Sequence, residues 1–260
     1  MYTKVMLNAV TLVNNFLQKF GLSITRNSTR ADLPSLIRRL QSYGIELNVV
    51  FDIGAYKGLW SRALSEKLDK KVEFFLFEPN EEHNASLSAA GFPFFNVLLS
   101  NNSEVRSFFG SSTSGDSYYP EVAANSATPV VRNLTSVTLD SLVFGSNQRL
   151  PIPDLIKIDT QGSEVDILKG AREVLKHCSV VILECPIVRY NQGAPDIQEY
   201  LDFMFYGNFV PVAVVEIHIL REVFVQIDIA FVSKKVFSEK IGDLDDMGFW
   251  KSTKAYYSGL

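Results

Sequence analysis

From Val49 onward the chain alternates short apolar runs with stretches of helical periodicity, and that alternation leaves few folds open. Val49–Ile53 is a five-residue apolar run stopped by Gly54, and residues 59–68 repeat their apolar side chains at helical spacing. Glu73–Phe77 is a second run, closed by Glu78-Pro79-Asn80. A helix over 82–90 stops at Gly91, and 94–99 reads as a third strand. Leu155–Ile158 and residues 180–183 supply the fourth and fifth strands, with a helix over 163–175 between them and another over 196–206. Phe209–Leu220 and residues 223–232 are long β-rich runs joined only by Arg221-Glu222, a link too short for a parallel crossover, so they pair antiparallel. The pattern predicts an α/β fold, a doubly wound and mostly parallel sheet with an antiparallel strand at its C-terminal edge, preceded by N-terminal helices. Residues 100–135, rich in Ser, Asn, Gly and Pro, read as a long polar functional loop.

The 260 residues are 47% apolar and 21% charged, enough for one large domain with its own core. Residues 1–43 form an expected helical arm, 44–235 the main domain, and 236–260 a tail whose Phe249, Trp250, Tyr256 and Tyr257 pack on it. A net charge of −4 argues against nucleic acid as a partner. The charge is uneven: residues 1–43 carry six basic side chains against Asp32 alone, leaving −9 for the rest. Val5, Ala9, Leu12, Val13, Phe16, Leu17 and Phe20 recur at helical spacing before Gly21. This amphipathic helix suits packing on the domain, a homodimer contact, or peripheral attachment to an anionic membrane surface. A second helix is expected over Leu33–Ser42, with Asp32 as its cap. No run approaches ~20 apolar residues. Cys178 and Cys185 flank one strand, roughly 23 Å apart at strand rise, so they stay unpaired. Unpaired thiols suit a reducing compartment and a cytoplasmic location, with peripheral membrane contact through the arm as a variant of it.

In an open parallel sheet, ligands bind beyond the carboxyl ends of the strands. Four of the five strand ends here carry or abut a carboxylate: Asp52, Glu78, Asp159 and Glu184. After the first strand the glycines run Gly54-Ala55-Tyr56-Lys57-Gly58. This G-x-x-x-G spacing lacks the G-x-G-x-x-G of dinucleotide sites, and Leu59-Trp60 replaces the Lys-Ser/Thr of a phosphate loop. An acid two residues before the first glycine opposes a phosphate and favours a ligand with a cationic end. S-adenosylmethionine fits: Asp52 faces its positive groups, the Gly54–Gly58 turn lets the backbone approach, and Glu78-Pro79 ends the second strand where an acid can accept ribose hydroxyls.

These segments resemble the FkbM-type S-adenosylmethionine-dependent methyltransferases. The likeness runs through 49–58, 74–80, 137–142, 155–175, 180–184 and 226–232, and is most specific in the D-x-x-G-x-E element from Asp159 to Glu164 followed by Leu-Lys-Gly-Ala. It implies a class I methyltransferase fold acting on hydroxyls of sugars, glycolipids or polyketide-type products. Relatives place an acid after the third strand for the adenine. This chain has Ser100-Asn101-Asn102, so Ser100 and Asn101 take that position, with Asn101 as the acceptor.

A sugar hydroxyl is weakly acidic and benefits from a base or a metal. Asp159, ending the fourth strand, is the first candidate for base or substrate-orienting acceptor, and His218 in the last β-rich region is the second. Asp159 with Glu184 offers oxygen ligands for Mg²⁺, or two acceptors for substrate hydroxyls. Glu164 either bonds a substrate hydroxyl or favours a helix N-terminus. Gln226 and Asp228, alternating among apolar neighbours, are expected to anchor a loop. The reading is an O-methyltransferase acting on a sugar, glycan or glycosylated small molecule. The alternative is a catalytically degenerate module that works through its basic N-terminal helix.

Overall fold

In the computed structural model, which describes residues 32–68, 71–110, 115–121, 130–146 and 150–242, the chain enters through helix α1, Leu33–Ser42. Asp32 caps it by accepting the Ser35 N–H at 2.8 Å, and Pro34 sits in the first turn where no amide bond is lost. Its apolar stripe, Leu36, Ile37 and Leu40, is buried. The N-terminal helix over 5–20 and the aromatic tail beyond 242 lie outside the described residues.

Strands β1 (Val49–Ile53) and β2 (Glu73–Phe77) flank helix α2 (Leu59–Ser65), and β2 leads through a 3-10 turn (Glu81–His83) into α3 (Asn84–Ala90). Then come β3 (Phe94–Phe95), β4 (Leu98–Leu99), β5 (Val105–Gly110), β6 (Val130–Val137), α4 (Leu139–Phe144) and β7 (Leu155–Ile158). After β7 follow α5 (Glu164–Lys169), α6 (Arg172–Leu175), β8 (Val180–Pro186), α7 (Ile197–Tyr206), β9 (Phe209–Leu220), β10 (Val223–Ser233) and α8 (Lys234–Lys240). Seven strands make one sheet in the order β3-β2-β1-β7-β8-β10-β9. All its pairs are parallel except those of β10, which runs antiparallel to both β8 and β9. The doubly wound, mostly parallel α/β expectation is therefore met, with one difference: the antiparallel strand is β10, and β9 lies outside it at the edge. Central strands are covered on both faces: Phe51, Ile156 and Val181 are buried on one, and Val50, Leu155 and Val180 on the other. The Asp154 carboxylate sets the β1–β7 start by accepting the N–H groups of Asn48 (2.7 Å) and Val49 (3.0 Å).

The structure departs from the expected third strand. Phe94–Phe95 pairs with β2, but the Asn96 side chain donates to the Glu78 carbonyl at 2.9 Å in place of a backbone amide. Leu98–Leu99 then leaves to join β6 and β5 in a separate three-stranded sheet. Residues 100–135 are correspondingly not a loop throughout, since they hold β5 and most of β6. These strands bury little besides Phe108 and Ser136, so their composition reads as polar. The helix expected over 163–175 is broken at Gly170-Ala171 into α5 and α6. Both cysteines are free. Among the described residues, no helix is long and apolar enough to cross a membrane.

Candidate active site

The carboxyl ends of β1, β2, β7 and β8 converge on a cavity of about 290 Å³, at the lower limit of the ~300–1,000 Å³ typical of small-molecule sites. Gly54, Ala55 and Tyr56 form one wall, and Glu78, Pro79 and His83 a second. Lys157, Asp159, Gln161 and Glu184 lie at the end nearest β7 and β8. Leu98, Leu99, Phe108 and Tyr118, from the small sheet and its connection, supply an apolar side.

Gly54 makes this closure possible. Its φ is +76°, and a Cβ there would stand 1.8 Å from the Asp159 carbonyl oxygen, so the β1 turn can lie against the end of β7 only with glycine. Gly58, at φ +71°, begins α2, and a Cβ would press to 2.9 Å from Ala90 Cβ; it packs helices and does not line the cavity. Glu78 accepts the Tyr56 N–H at 2.9 Å through one oxygen and the Asn80 N–H at 2.8 Å through the other, tying the two walls together. Burial raises its carboxyl to about 7, against these two hydrogen bonds.

The β7 end is a charge cluster. Lys157 is buried, with Nζ 2.8 Å from Asp159 Oδ2, 3.7 Å from Asp52 Oδ1 and 5.3 Å from the centre of the Trp60 ring. Burial opposes its charge, but the two carboxylates outweigh that and push the ammonium above its usual range. Gln161 Nε2 donates to Asp159 Oδ1 at 3.2 Å and to Glu184 Oε2 at 2.8 Å, and Gln226 Nε2 donates to Glu184. Burial works against ionising Asp159, yet the Lys157 charge and hydrogen bonds with Glu184, Lys157 and Gln161 hold it below the ordinary carboxylate range. Glu184, buried and facing that charge, is pushed well above it. The pair therefore carries its negative charge on Asp159.

The structure places several of the expected site residues away from the cavity. Asp52 does not line the cavity. It is fully buried behind the β1 turn, where Oδ2 accepts the Ser61 hydroxyl at 2.6 Å and Oδ1 faces Lys157. Ser100 is buried against the Tyr118 hydroxyl at 3.3 Å, and Asn101 is exposed with its Oδ1 accepting from Arg106 at 2.8 Å; neither lines the cavity, whose wall there is Leu98 and Leu99. Glu164 is turned inward and holds the Asp159–Ser163 turn. Its Oε1 accepts the Thr160 N–H (2.7 Å), and its Oε2 accepts the Gly162 N–H (2.9 Å) and the Tyr200 hydroxyl. His218 stands on edge strand β9 outside the cavity. A Mg²⁺ ion does not fit Asp159 and Glu184, because the Lys157 ammonium and the Gln161 amide aim N–H donors into the space that a cation would need. Gln226 donates to Glu184 and its Oε1 accepts from Tyr190 at 2.9 Å, in keeping with an anchoring role.

Lys157, Gln161 and His83 complete the cavity wall without a motif to announce them. Lys157 has one signal, as the lone charge in an otherwise apolar strand. His83 packs edge-on against Tyr56, with ring centres 4.4 Å apart, and burial holds its imidazole below the usual range.

A family profile described as the methyltransferase FkbM domain matches residues 52–211. Over 156 residues the chain is 30% identical to the hexuronic acid methyltransferase AglP of Haloferax volcanii, a match covering 57% of this chain and 60% of AglP. The chain thus spans less than two-thirds of that relative. Among solved structures, the methyltransferase FkbM of Methylobacillus flagellatus KT is similar at TM-score 0.45 and 15% identity, over 71% of this chain and 43% of that one. The magnesium protoporphyrin IX methyltransferase ChlM of Synechocystis PCC 6803, solved with bound SAM, is similar at 0.44 and 10%, over 85% and 95%. Both likenesses are distant, and the fold stands on its own strand order.

Proposed function

The chain belongs to the FkbM methyltransferase family, and from that premise we propose that it is an S-adenosylmethionine-dependent O-methyltransferase whose acceptor is a hydroxyl of a sugar or glycan. One observation carries the reading: a single cavity gathers the Gly54–Tyr56 turn, Glu78-Pro79, and the Asp159 end of β7. Those are the strand ends at which an open α/β sheet takes a ligand.

The residues suit the cofactor. Gly54 leaves room for close approach of a ligand to backbone, and Leu98, Leu99 and Phe108 offer an apolar face for an adenine. Each Glu78 oxygen accepts one backbone N–H and keeps a lone pair for a ribose hydroxyl. S-adenosylmethionine supplies, when bound, an electrophilic methyl group for in-line displacement. The chain's work is then positioning. Asp159, kept charged by Lys157 and oriented by Gln161, accepts a hydrogen bond from the acceptor hydroxyl and takes its proton as the oxygen becomes an ether. Glu184, its carboxyl pushed above the usual range by burial and by the Asp159 charge, lies alongside. The likeness to a hexuronic acid methyltransferase supports a sugar as the acceptor class.

Calorimetric titration with S-adenosylhomocysteine tests the cofactor assignment. The expected result is one site per chain, weakened at least tenfold by Glu78→Ala and little changed by Asp159→Asn, with the latter losing ~10²–10⁴ in turnover on sugar acceptors. No binding to the folded wild type overturns the reading.

A further inference from the structure

Glu216 and His218 stand two residues apart on β9, and Asp228 faces Glu216 across the β9–β10 register. Strand alternation puts the three on one face of the sheet. One ligand atom from each lies within 4.8 Å of the other two. His218 Nε2 is 3.6 Å from Glu216 Oε1 and 3.9 Å from Asp228 Oδ1, too far for hydrogen bonds. Ligand atoms held ~2.0–2.2 Å from one ion lie only somewhat nearer one another than these do.

A second observation points the same way. Asp228 is 8% exposed, and its Oδ1, the oxygen turned toward His218, is shut off from water without a hydrogen-bond partner. Buried polar atoms are almost always satisfied, because a stripped carboxylate oxygen forfeits its hydration for nothing. The β9–β10 register shifts between Asp228 and Ile229, an irregularity of the kind that re-aims side chains beside functional sites. Glu216 and Asp228 also border a surface cavity of about 200 Å³ shared with Trp60 and Lys67, which leaves an ion a way in.

We propose that Glu216, His218 and Asp228 form a binding site for a divalent transition-metal ion of the zinc class, with water completing the coordination. One imidazole nitrogen and two carboxylates suit such an ion better than Mg²⁺ or Ca²⁺, which prefer oxygen alone. None of the three residues lines the cofactor cavity, so the site stands or falls apart from the methyl-transfer reading. Bound metal ties edge strand β9 to β10 and neutralises Asp228.

The test uses the full chain, stripped with chelator and titrated with Zn²⁺ in a calorimeter and with Co²⁺ by visible absorption. The result expected is one equivalent bound, with affinity cut at least tenfold by His218→Ala and by Asp228→Asn and unchanged by His177→Ala, which removes another exposed histidine. Thermal melts check folding; should Asp228→Asn melt early, the partly exposed His218 alone carries the test. Absence of binding to the wild type, or binding indifferent to His218→Ala, overturns the proposal.

Discussion

Lys157 holds its ammonium 2.8 Å from the Asp159 carboxylate while its side chain is only 6% exposed, so the acid that ends β7 is charged because a buried base beside it is charged. Asp52 on β1 is the second acid on the same ammonium, at 3.7 Å. Two of the four acids that end the strands thus share one buried ammonium, and the cationic end of a ligand meets less negative charge than a count of carboxylates suggests.

Removing the cation leaves the buried Asp52 and the partly exposed Asp159 facing each other. Lys157→Met is expected to lower stability by ~3–5 kcal/mol in urea unfolding, and adding Asp52→Asn to recover part of that loss. Equal stability of Lys157→Met and wild type would show that the three groups are not coupled.

A methyl group at position 54 has nowhere to go. Gly54→Ala places Cβ against the Asp159 carbonyl in a backbone conformation that L residues rarely adopt. The expected outcome is a loss of ~1–3 kcal/mol with S-adenosylhomocysteine affinity down at least tenfold. Melting and calorimetry read the two effects separately.

Burial raises Glu78 from 4.5 to about 7. Between those values the folded chain holds a proton that the unfolded chain has lost, so this group's stabilisation is complete below about 4.5 and disappears as pH rises through about 7. Glu78→Gln is expected to flatten that part of the stability profile, by ~3 kcal/mol at most. Cofactor-product binding runs the other way. Ionised Glu78 is the better acceptor for ribose hydroxyls, so wild-type affinity for S-adenosylhomocysteine rises across pH 7 while the Gln variant stays level.

Glu164 receives the Tyr200 hydroxyl along with two backbone amides of the Asp159–Ser163 turn. Tyr200→Phe strips one donor from a buried carboxylate and is expected to cost ~1–3 kcal/mol in chemical denaturation. Its effect on KM for the acceptor should be small, because Glu164 does not line the cavity. A large KM change with unaltered stability would return Glu164 to the substrate.

Alternating apolar runs ended by Asp52, Glu78, Asp159 and Glu184 were enough to read the parallel strands, their antiparallel close and the end of the sheet where the cavity opens. Period and residue type carry that information locally. The same reading could not see that 94–99 divides between two sheets, because the cause is one Asn96 side chain occupying the carbonyl of Glu78. Strands β5 and β6 were equally silent, since a sheet with one weakly buried face has no apolar alternation to display.

What sequence determined, then, is which carboxylates end the strands, and that the first strand is followed by a glycine. Only the tertiary structure decided what each acid does there. Glu78 and Asp159 open on the cavity, Asp52 and Glu164 turn inward to hold Ser61 and the Asp159–Ser163 turn, and Asp228 meets His218 across a strand pair. The reason is physical: a carboxylate's role depends on its burial and on the donors around it, and both are set by strands and helices distant in the chain.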